Sequence, residues 1–286
     1  MAYSTVILTF NEESNLPRCL ESLAGCDDVV VLDSGSDDRT QQIGRAAGAR
    51  VFERKFDDFA AQRNFALDTV PFKHDWILHL DADECMTPKL HAELLQVCRE
   101  DSKSAYLIAN KLMFMGRWIR HVTTYPAYQS RLVKLGQSRF KVAGHGTALE
   151  RSDRGTGTLC EPYVHHNFSK GISDWLARHN KYSTAEAERI VAETSSLGEA
   201  WRQFRSGDTP EKKRQALKRC ADFLPLRPLV RFLYLYVWKW GFLDGRAGFD
   251  YSVLMAFYDY LIGLKVRELR QRCGATLVQA GGSGRS

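Results

Sequence analysis

The segment WILHLDADECMTP at residues 76–88 sets three carboxylates, Asp81, Asp83 and Glu84, directly after the apolar run Ile77, Leu78 and Leu80. Hard acidic oxygens so closely spaced suit two roles. One is a solvated acidic loop with a capping duty. The other is a site for magnesium or manganese that keeps the phosphates of a ligand in its coordination shell. Unpaired carboxylates are costly to bury, so the strand is expected to stop at a solvent-lined edge. Thr87 before Pro88 reads as a helix N-cap, with Leu90, Leu94 and Val97 following on one helical face. The carboxylates therefore fall in a strand-to-helix turn.

The elements that must position them alternate in type. Strand-like runs at 6–10, 29–32 and 50–52 are separated by helical patterns at 16–23 and 38–47, and a helix at 59–67 leads to the acidic strand. This predicts an α/β fold with a mostly parallel, Rossmann-like sheet flanked by helices. In such sheets ligands bind beyond the carboxyl ends of the strands, where the polar clusters 9–13, 33–38 and 81–84 all fall. No GxGxxG follows the first strand and no GxxxxGK[ST] is present, so neither a dinucleotide fold nor a P-loop enzyme is supported. The middle of the chain has shorter strand-like runs at 105–109, 131–135 and 139–142. A helix from Ser173 then carries Trp175, His179, Tyr182 and Glu186 at helical spacing, a face that reads as core packing more readily than as a binding surface.

With 286 residues the chain can bury a sizeable core. Its seven cysteines are odd in number and lack CxxC spacing, which argues against a disulfide framework or a zinc site and for a reducing cytoplasm. The opening MAYSTVILTFNEE has no secretory-signal pattern and reads as the first strand. A formal charge of +6 permits anionic partners without choosing among them; the basic residues do not interleave with aromatics on one face, so nucleic acid is not expected. From 229 to 242 nearly every residue is apolar or aromatic, broken by Arg231 and Lys239, and a second such run covers 251–264. Both are shorter than the roughly 20 residues of a membrane span. Their Trp, Tyr, Arg and Lys content predicts helices lying on an anionic membrane surface, with a buried hairpin or a homo-oligomer interface as the other readings.

Taken together, TFNEESNLPRCLESL, DSGSDDRT, AAQRNFALD and WILHLDADE, in that order, resemble the motifs of the inverting glycosyltransferases of family 2, whose fold is GT-A. The later YPAYQSRLVK and HHNFSKGISDWLARHNKYSTAEAE segments are most similar to transferases of lipopolysaccharide core and exopolysaccharide assembly, including the β-1,4-glucosyltransferase type. The resemblance implies a glycosyltransferase that takes a nucleotide-diphosphate sugar, a saccharide or lipid-linked acceptor and a divalent cation, Mn or Mg. It implies that Thr9, Glu12, Asp33, Arg63 and Asp81 bind the nucleotide sugar and that Asp83 ligates the metal, with His165 or His166 completing the shell. An inverting displacement needs a base for the acceptor hydroxyl. Related enzymes carry His-Glu where this chain has His145-Gly146, which leaves His145, Glu150 and Glu84 as candidates. Asp37 and Arg39 also depart from the family pattern, beside the nucleotide pocket, and Asp38 reads as a helix cap.

The expected organisation is a GT-A domain at 1–193, with a nucleotide-sugar half at 1–100 and an acceptor half at 101–193. A helical, membrane-associating region follows at 194–286, with about the last ten residues disordered. A polar stretch at 195–219 reads as a helix pair or connector. The implied location is the inner face of the cell membrane. A sugar nucleotidyltransferase and a non-catalytic membrane-docked binding protein are the opposing readings; FNEESNLP is acidic where a nucleotidyltransferase places a basic, Gly-rich loop.

Overall fold

The computed structural model describes residues 2–143, 146–192, 202, 205 and 226–282, with side chains up to residue 272 in the last helix. Two compact units divide the chain: Met1–Arg120 with Thr124–Ser169, and His121–Thr123 with Lys170–Ser286.

The first unit is the α/β one. It runs β1 (Ser4–Thr9), α1 (Leu16–Ser22), β2 (Val29–Asp33), α2 (Thr40–Ala46), β3 (Arg50–Glu53), α3 (Phe59–Thr69), β4 (Trp76–Asp81), β5 (Glu84–Cys85) and α4 (Pro88–Glu100). There follow β6 (Ala105–Phe114), β7 (Arg117–Trp118), β8 (Tyr128–Lys134), β9 (Ser138–Ala143), β10 (Gly146–Ser152), β11 (Thr156–Thr158) and β12 (Tyr163–His165). The main sheet has the order β3-β2-β1-β4-β8-β6-β12-β5, while β9 and β10 pair separately. β1 to β4 are mutually parallel, β8 is antiparallel to both its neighbours, and β12 returns parallel to β6. This is the mostly parallel, helix-flanked sheet of the GT-A type.

Alternation along the strands divides the core between the two faces of the sheet. Ile7, Val31, Leu78 and Leu80 pack with Leu16, Cys19, Leu90 and Leu94 of α1 and α4. Val6, Leu8, Val30, Leu32 and Ile77 pack with Ala60 and Ala66 of α3. Every residue of β1 is buried, as a central parallel strand covered on both faces must be. α4 starts as its sequence indicates, with the Thr87 hydroxyl accepting from Leu90 N at 3.1 Å and Pro88 in the first turn.

The strands of the middle region are longer than their apolar runs. β6 continues to Phe114 through Asn110 and Lys111, because β12 and β7 pair with this polar half and supply the ladder that hydrophobicity alone does not announce. β8 likewise begins at Tyr128, three residues before the predicted start.

The second unit is helical: α5 (Gly171–Ala192), α6 (Arg227–Leu233), a π turn at Tyr234–Trp238, a 3-10 turn at Gly241–Asp244 and α7 (Gly245–Gly282). Ala187 and Ile190 of α5 pack on Ile262 and Val266 of α7. Lys265 Nζ donates to Asn180 O at 2.6 Å and to the Ser183 and Thr184 hydroxyls. Trp175 is buried and stacks on His179 at 3.6 Å, so that face of α5 is used for packing. Asp244 is buried and accepts from His121 N, His121 Nδ1 and Val122 N, which ties the 121–123 segment to this unit. Among the described residues no helix is long and apolar enough to cross a membrane. The 195–219 stretch lies outside the described residues, apart from the backbone at 202 and 205.

Candidate active site

Strand register gathers the acidic clusters. Thr9 stands opposite Asp33, Leu8 opposite Asp81, and Asp33 opposite Glu53, so the carboxyl ends of β1, β2, β3 and β4 form one polar edge. Asp33 is fully buried and its oxygens are saturated. Oδ1 accepts from Thr9 Oγ1 at 2.8 Å and Ser36 Oγ at 2.6 Å; Oδ2 accepts from Gly35 N, Ser36 N and Gln41 Nε2 at 3.0, 2.7 and 3.0 Å. Burial pushes its carboxyl up, but these donors outweigh it and hold the group below the usual range. Asp33 thus shapes the loop that follows β2.

The adjacent β1 loop is tied to the same frame. Glu12 N donates to Thr40 Oγ1 at 2.8 Å, and the Glu12 carboxylate accepts from Asn15 Nδ2 at 2.7 Å. Asp38 accepts from Thr40 N at 2.8 Å and from Glu13 N at 3.1 Å, so it caps α2 and also joins the two loops.

The acidic turn contains two different electrostatic environments. In the first, Asp81 Oδ1 accepts from Arg63 Nη2 at 3.0 Å and Oδ2 from Arg131 Nη2 at 2.9 Å. The same Arg131 nitrogen donates to the fully buried Glu84, whose other oxygen accepts from Asp81 N at 2.9 Å. Two arginines, each about 4% exposed or less, therefore balance two carboxylates. Burial opposes an ionised Asp81, but Arg131 and Arg63 prevail and hold it well below the usual carboxylate range. For Glu84 burial prevails over Arg131, and the neighbouring Asp81 adds to it, so the carboxyl is pushed up. Arg131 also lies 5.3 Å from the Tyr163 ring centroid. His79 is buried beside them, edge-on to Phe140 at 5.1 Å, with no hydrogen-bond partner for either ring nitrogen among the described residues. Burial first, then Arg63 and Arg131, hold this ring neutral.

The second environment is more open. β12 pairs with β5 so that His165 stands opposite Glu84, which carries His165 Nε2 to 3.3 Å from Asp83 Oδ2. Each of these side chains is about one-fifth exposed. Burial lowers the imidazole's proton affinity, but Asp83 outweighs it and the pKa is raised. His166 N donates to Asp83 O at 2.8 Å, fixing the turn through the backbone, while burial and then Arg18 lower the pKa of its ring. Among the described residues no three His, Cys, Asp or Glu side chains gather as a metal cluster. A magnesium-like ion that takes one or two carboxylates and otherwise binds phosphate and water does not need three. Asp83 offers one such carboxylate, with the His165 imidazole beside it.

One edge therefore brings together Thr9, Asp33, Arg63, Asp81, Asp83, Glu84, His165 and His166, with Glu12 on the adjoining loop. Glu150 is exposed on β10, in the separately paired hairpin. His145 lies outside the described residues. Sequence reasoning missed Arg131, although it stands in the quoted YPAYQSRLVK. The available signal was an arginine directly before the buried run Leu132-Val133, since a buried guanidinium demands a carboxylate partner. A groove of about 660 Å³ between α1 and α2 lies at the opposite, amino-terminal end of the strands, lined largely by Ala, Leu and Pro side chains, and holds none of these groups.

The chain is similar to several known proteins. An uncharacterised glycosyltransferase of Rickettsia bellii is 26% identical over 94% of this chain and 87% of its own length. The lipopolysaccharide core biosynthesis glycosyltransferase LpsC of Rhizobium meliloti is 25% identical over 92% of this chain and 91% of its own. Among solved structures, S. aureus TarS 1-349 in complex with UDP-GlcNAc is 17% identical with a TM-score of 0.44, covering 91% of both chains. The model of glycosyl transferase family 2 matches residues 4–153, more than half of the chain and the whole of the polar edge up to β10, and the chain belongs to that family.

Proposed function

We propose that this glycosyltransferase moves a hexose from a nucleoside-diphosphate donor to a saccharide or lipid-linked acceptor, with inversion, in the assembly of lipopolysaccharide or another cell-surface polysaccharide. The observation that carries the reading is the contrast within the acidic turn. Asp81 is neutralised by Arg63 and Arg131, whereas among the described residues the Asp83 carboxylate is paired only with an imidazole that can change its proton state. The likeness to LpsC over nearly the full length supports the acceptor class.

In this reading Thr9, Glu12 and Asp33 form the nucleotide pocket, Asp33 through the loop it orders. Arg63 sets Asp81 to receive the ribose. Asp83 and His165 hold the divalent cation, with His166 beside them; the bound cation supplies positive charge to the departing diphosphate. The acceptor hydroxyl oxygen forms a bond to the anomeric carbon from the face opposite the donor oxygen. The bond to that oxygen breaks, its electron pair leaves with the nucleoside diphosphate, and the hydroxyl proton passes to a protein base. Of His145, Glu150 and Glu84, the last is already held by Arg131 and a backbone N–H and acts as a positioning group. His145 is the first choice for the base. The apolar helices beyond Arg227 hold the enzyme against an anionic membrane surface, on the cytoplasmic side.

The test is calorimetric titration of UDP with and without manganese, on wild type and on Asp83→Asn. Manganese should strengthen wild-type binding at least tenfold and the variant's hardly at all. Equal manganese dependence in the two proteins would remove Asp83 from the metal site. Nucleotide-sugar turnover by wild type with retained anomeric configuration would overturn the inverting mechanism.

A further inference from the structure

We infer that Gln129 is a specificity-determining contact for the sugar of the nucleotide-sugar donor, giving an amide N–H to a hexose hydroxyl, and that the buried Tyr163 aims it. The inference rests on the glycosyl-transfer reading above and adds the part of the site that meets the sugar.

An irregularity in β8 sets the direction of the Gln129 side chain. Against β6, Leu132 stands opposite Tyr106, but Ser130 stands opposite Leu107 and Gln129 opposite Ile108, so Arg131 is one residue extra. In a regular strand Leu132 and Gln129, three positions apart, face opposite sides of the sheet. The extra residue turns both toward the face of Tyr106 and Ile108, the re-aiming that a bulge performs beside a site. Leu132, Tyr106 and Ile108 belong to the core on that face, and Tyr163 of β12 packs with them. Tyr163 is fully buried, Gln129 is exposed, and the phenol hydroxyl donates to Gln129 Oε1 at 3.1 Å. The amide oxygen is thereby engaged from below. Nε2 is the end presented outward, and it makes no hydrogen bond among the described residues. A glutamine held this way has already lost much of the rotamer freedom that an exposed side chain gives up on binding.

Position makes the sugar its ligand. β8 is antiparallel to β4, with Val133 opposite Ile77 and Leu132 opposite Leu78, so stepping from Leu132 to Gln129 moves toward the carboxyl end of β4 and its acidic turn. Tyr163 is two residues before His165, the partner of Asp83, and its ring centroid lies 5.3 Å from Arg131, the partner of Asp81. In the sheet order, β8 lies on the far side of β4 from β1 and β2. A nucleotide laid from Asp33 on β2 to Asp81 on β4, with its diphosphate at Asp83, has its sugar next, over β8. An outward amide N–H there suits a hydroxyl: it is a neutral donor and, unlike a carboxylate, does not compete with the diphosphate for a cation.

The test measures, on the full chain with manganese, the affinities of UDP and of whichever of UDP-glucose, UDP-galactose and UDP-N-acetylglucosamine wild type binds most tightly. Gln129→Met should weaken that nucleotide sugar about threefold to tenfold, the worth of one hydrogen bond, and leave UDP unchanged. Tyr163→Phe keeps the packed ring and unties the amide, so it should lose part of the same affinity, again with UDP unchanged. The double variant should be no weaker than Gln129→Met alone, because the phenol acts only through the amide. Nucleotide-sugar affinity that is unchanged in Gln129→Met, or that falls no further than UDP affinity, overturns the contact. Losses that add in the double variant overturn the role of Tyr163. Wild type that binds UDP but none of the three nucleotide sugars overturns the inference and leaves the nucleotide site standing. Failure of wild type to bind UDP at all is the separate failure of the donor reading, and the inference falls with it.

Discussion

Arg131 Nη2 lies 2.9 Å from Asp81 Oδ2, joining β8 to the end of β4 across 50 residues of sequence. The same nitrogen reaches Glu84, so one guanidinium fixes both the first and the last carboxylate of the acidic turn. Removing it leaves the fully buried Glu84 without its countercharge, and Arg131→Met should cost about 3–5 kcal/mol of stability. Urea unfolding checks this. Arg131→Met/Glu84→Gln should recover part of the loss, because the second change removes the buried carboxyl that has lost its donor. A single variant as stable as wild type would show that the turn is held by other contacts.

Asp28 gives a pH dependence remote from the site. Its buried carboxylate accepts from Ser4 Oγ at 2.5 Å, Lys73 N at 2.8 Å and Arg50 Nη2 at 2.8 Å. Burial raises its pKa, but these donors together outweigh burial and depress it. A depressed folded-state pKa means stability that is fully present above the unfolded value of about 3.9 and is lost as pH falls through the folded value. The stability difference between wild type and Asp28→Asn should therefore be flat from about pH 5 to 7 and shrink below about pH 4. Thermal melts across that range measure it, and a difference that grows on acidification would reverse the assignment.

The first hundred residues were the most legible part of the sequence. Apolar strands there end in polar clusters, and Thr87 with Pro88 marks the start of α4 in the sequence as clearly as in the structure. The same holds for Asp38, whose spacing from α2 already implies a cap. The middle of the chain was less legible, because β6 and β8 run through Asn110, Lys111, Gln129 and Ser130, polar residues that stay in strands only because neighbours pair with them. Such pairing is a long-range fact that local periodicity does not carry. Arg131 illustrates the limit: its role depends on a partner 50 residues away.

The saturation of Asp33 leads to a third prediction, which separates ordering the pocket from touching the nucleotide. Asp33→Ala strands the Ser36 N–H and hydroxyl, the Gly35 N–H and the Thr9 hydroxyl, and should cost about 1–3 kcal/mol for the donors left unpaired. UDP affinity should fall with it, since the loop after β2 loses its frame. Thr9→Val removes one donor and leaves the other four, so its effect on both measurements should be much smaller. Asp33→Ala with wild-type stability and weakened UDP binding would instead give Asp33 a direct contact with the ligand.

The last prediction concerns the helical unit. Trp238 is 78% exposed and Trp240 60%, with Val237, Leu243 and Leu233 exposed nearby, an apolar concentration larger than a soluble surface ordinarily leaves in water. Lys239 falls between the two tryptophans in the sequence, and the Arg246 side chain is 93% exposed and loosely paired with Asp250 at 3.7 Å, whereas the more buried Arg227 is paired with Asp259 at 3.3 Å and has less charge to offer a lipid. Amphipathic rings with cations between them suit the headgroup boundary of an anionic bilayer. Each of Lys239 and Arg246 should add about 1 kcal/mol of salt-sensitive attraction. Flotation of the full chain on vesicles containing phosphatidylglycerol should therefore exceed that on neutral vesicles and weaken with added salt. Trp238→Ser/Trp240→Ser should abolish most of it, because the indoles supply the buried apolar area, and Lys239→Gln/Arg246→Gln should remove only the preference for anionic lipid. If the Trp double variant floats like wild type but changes the oligomeric state in sedimentation, the patch is an interface between copies of the chain and the membrane assignment is withdrawn.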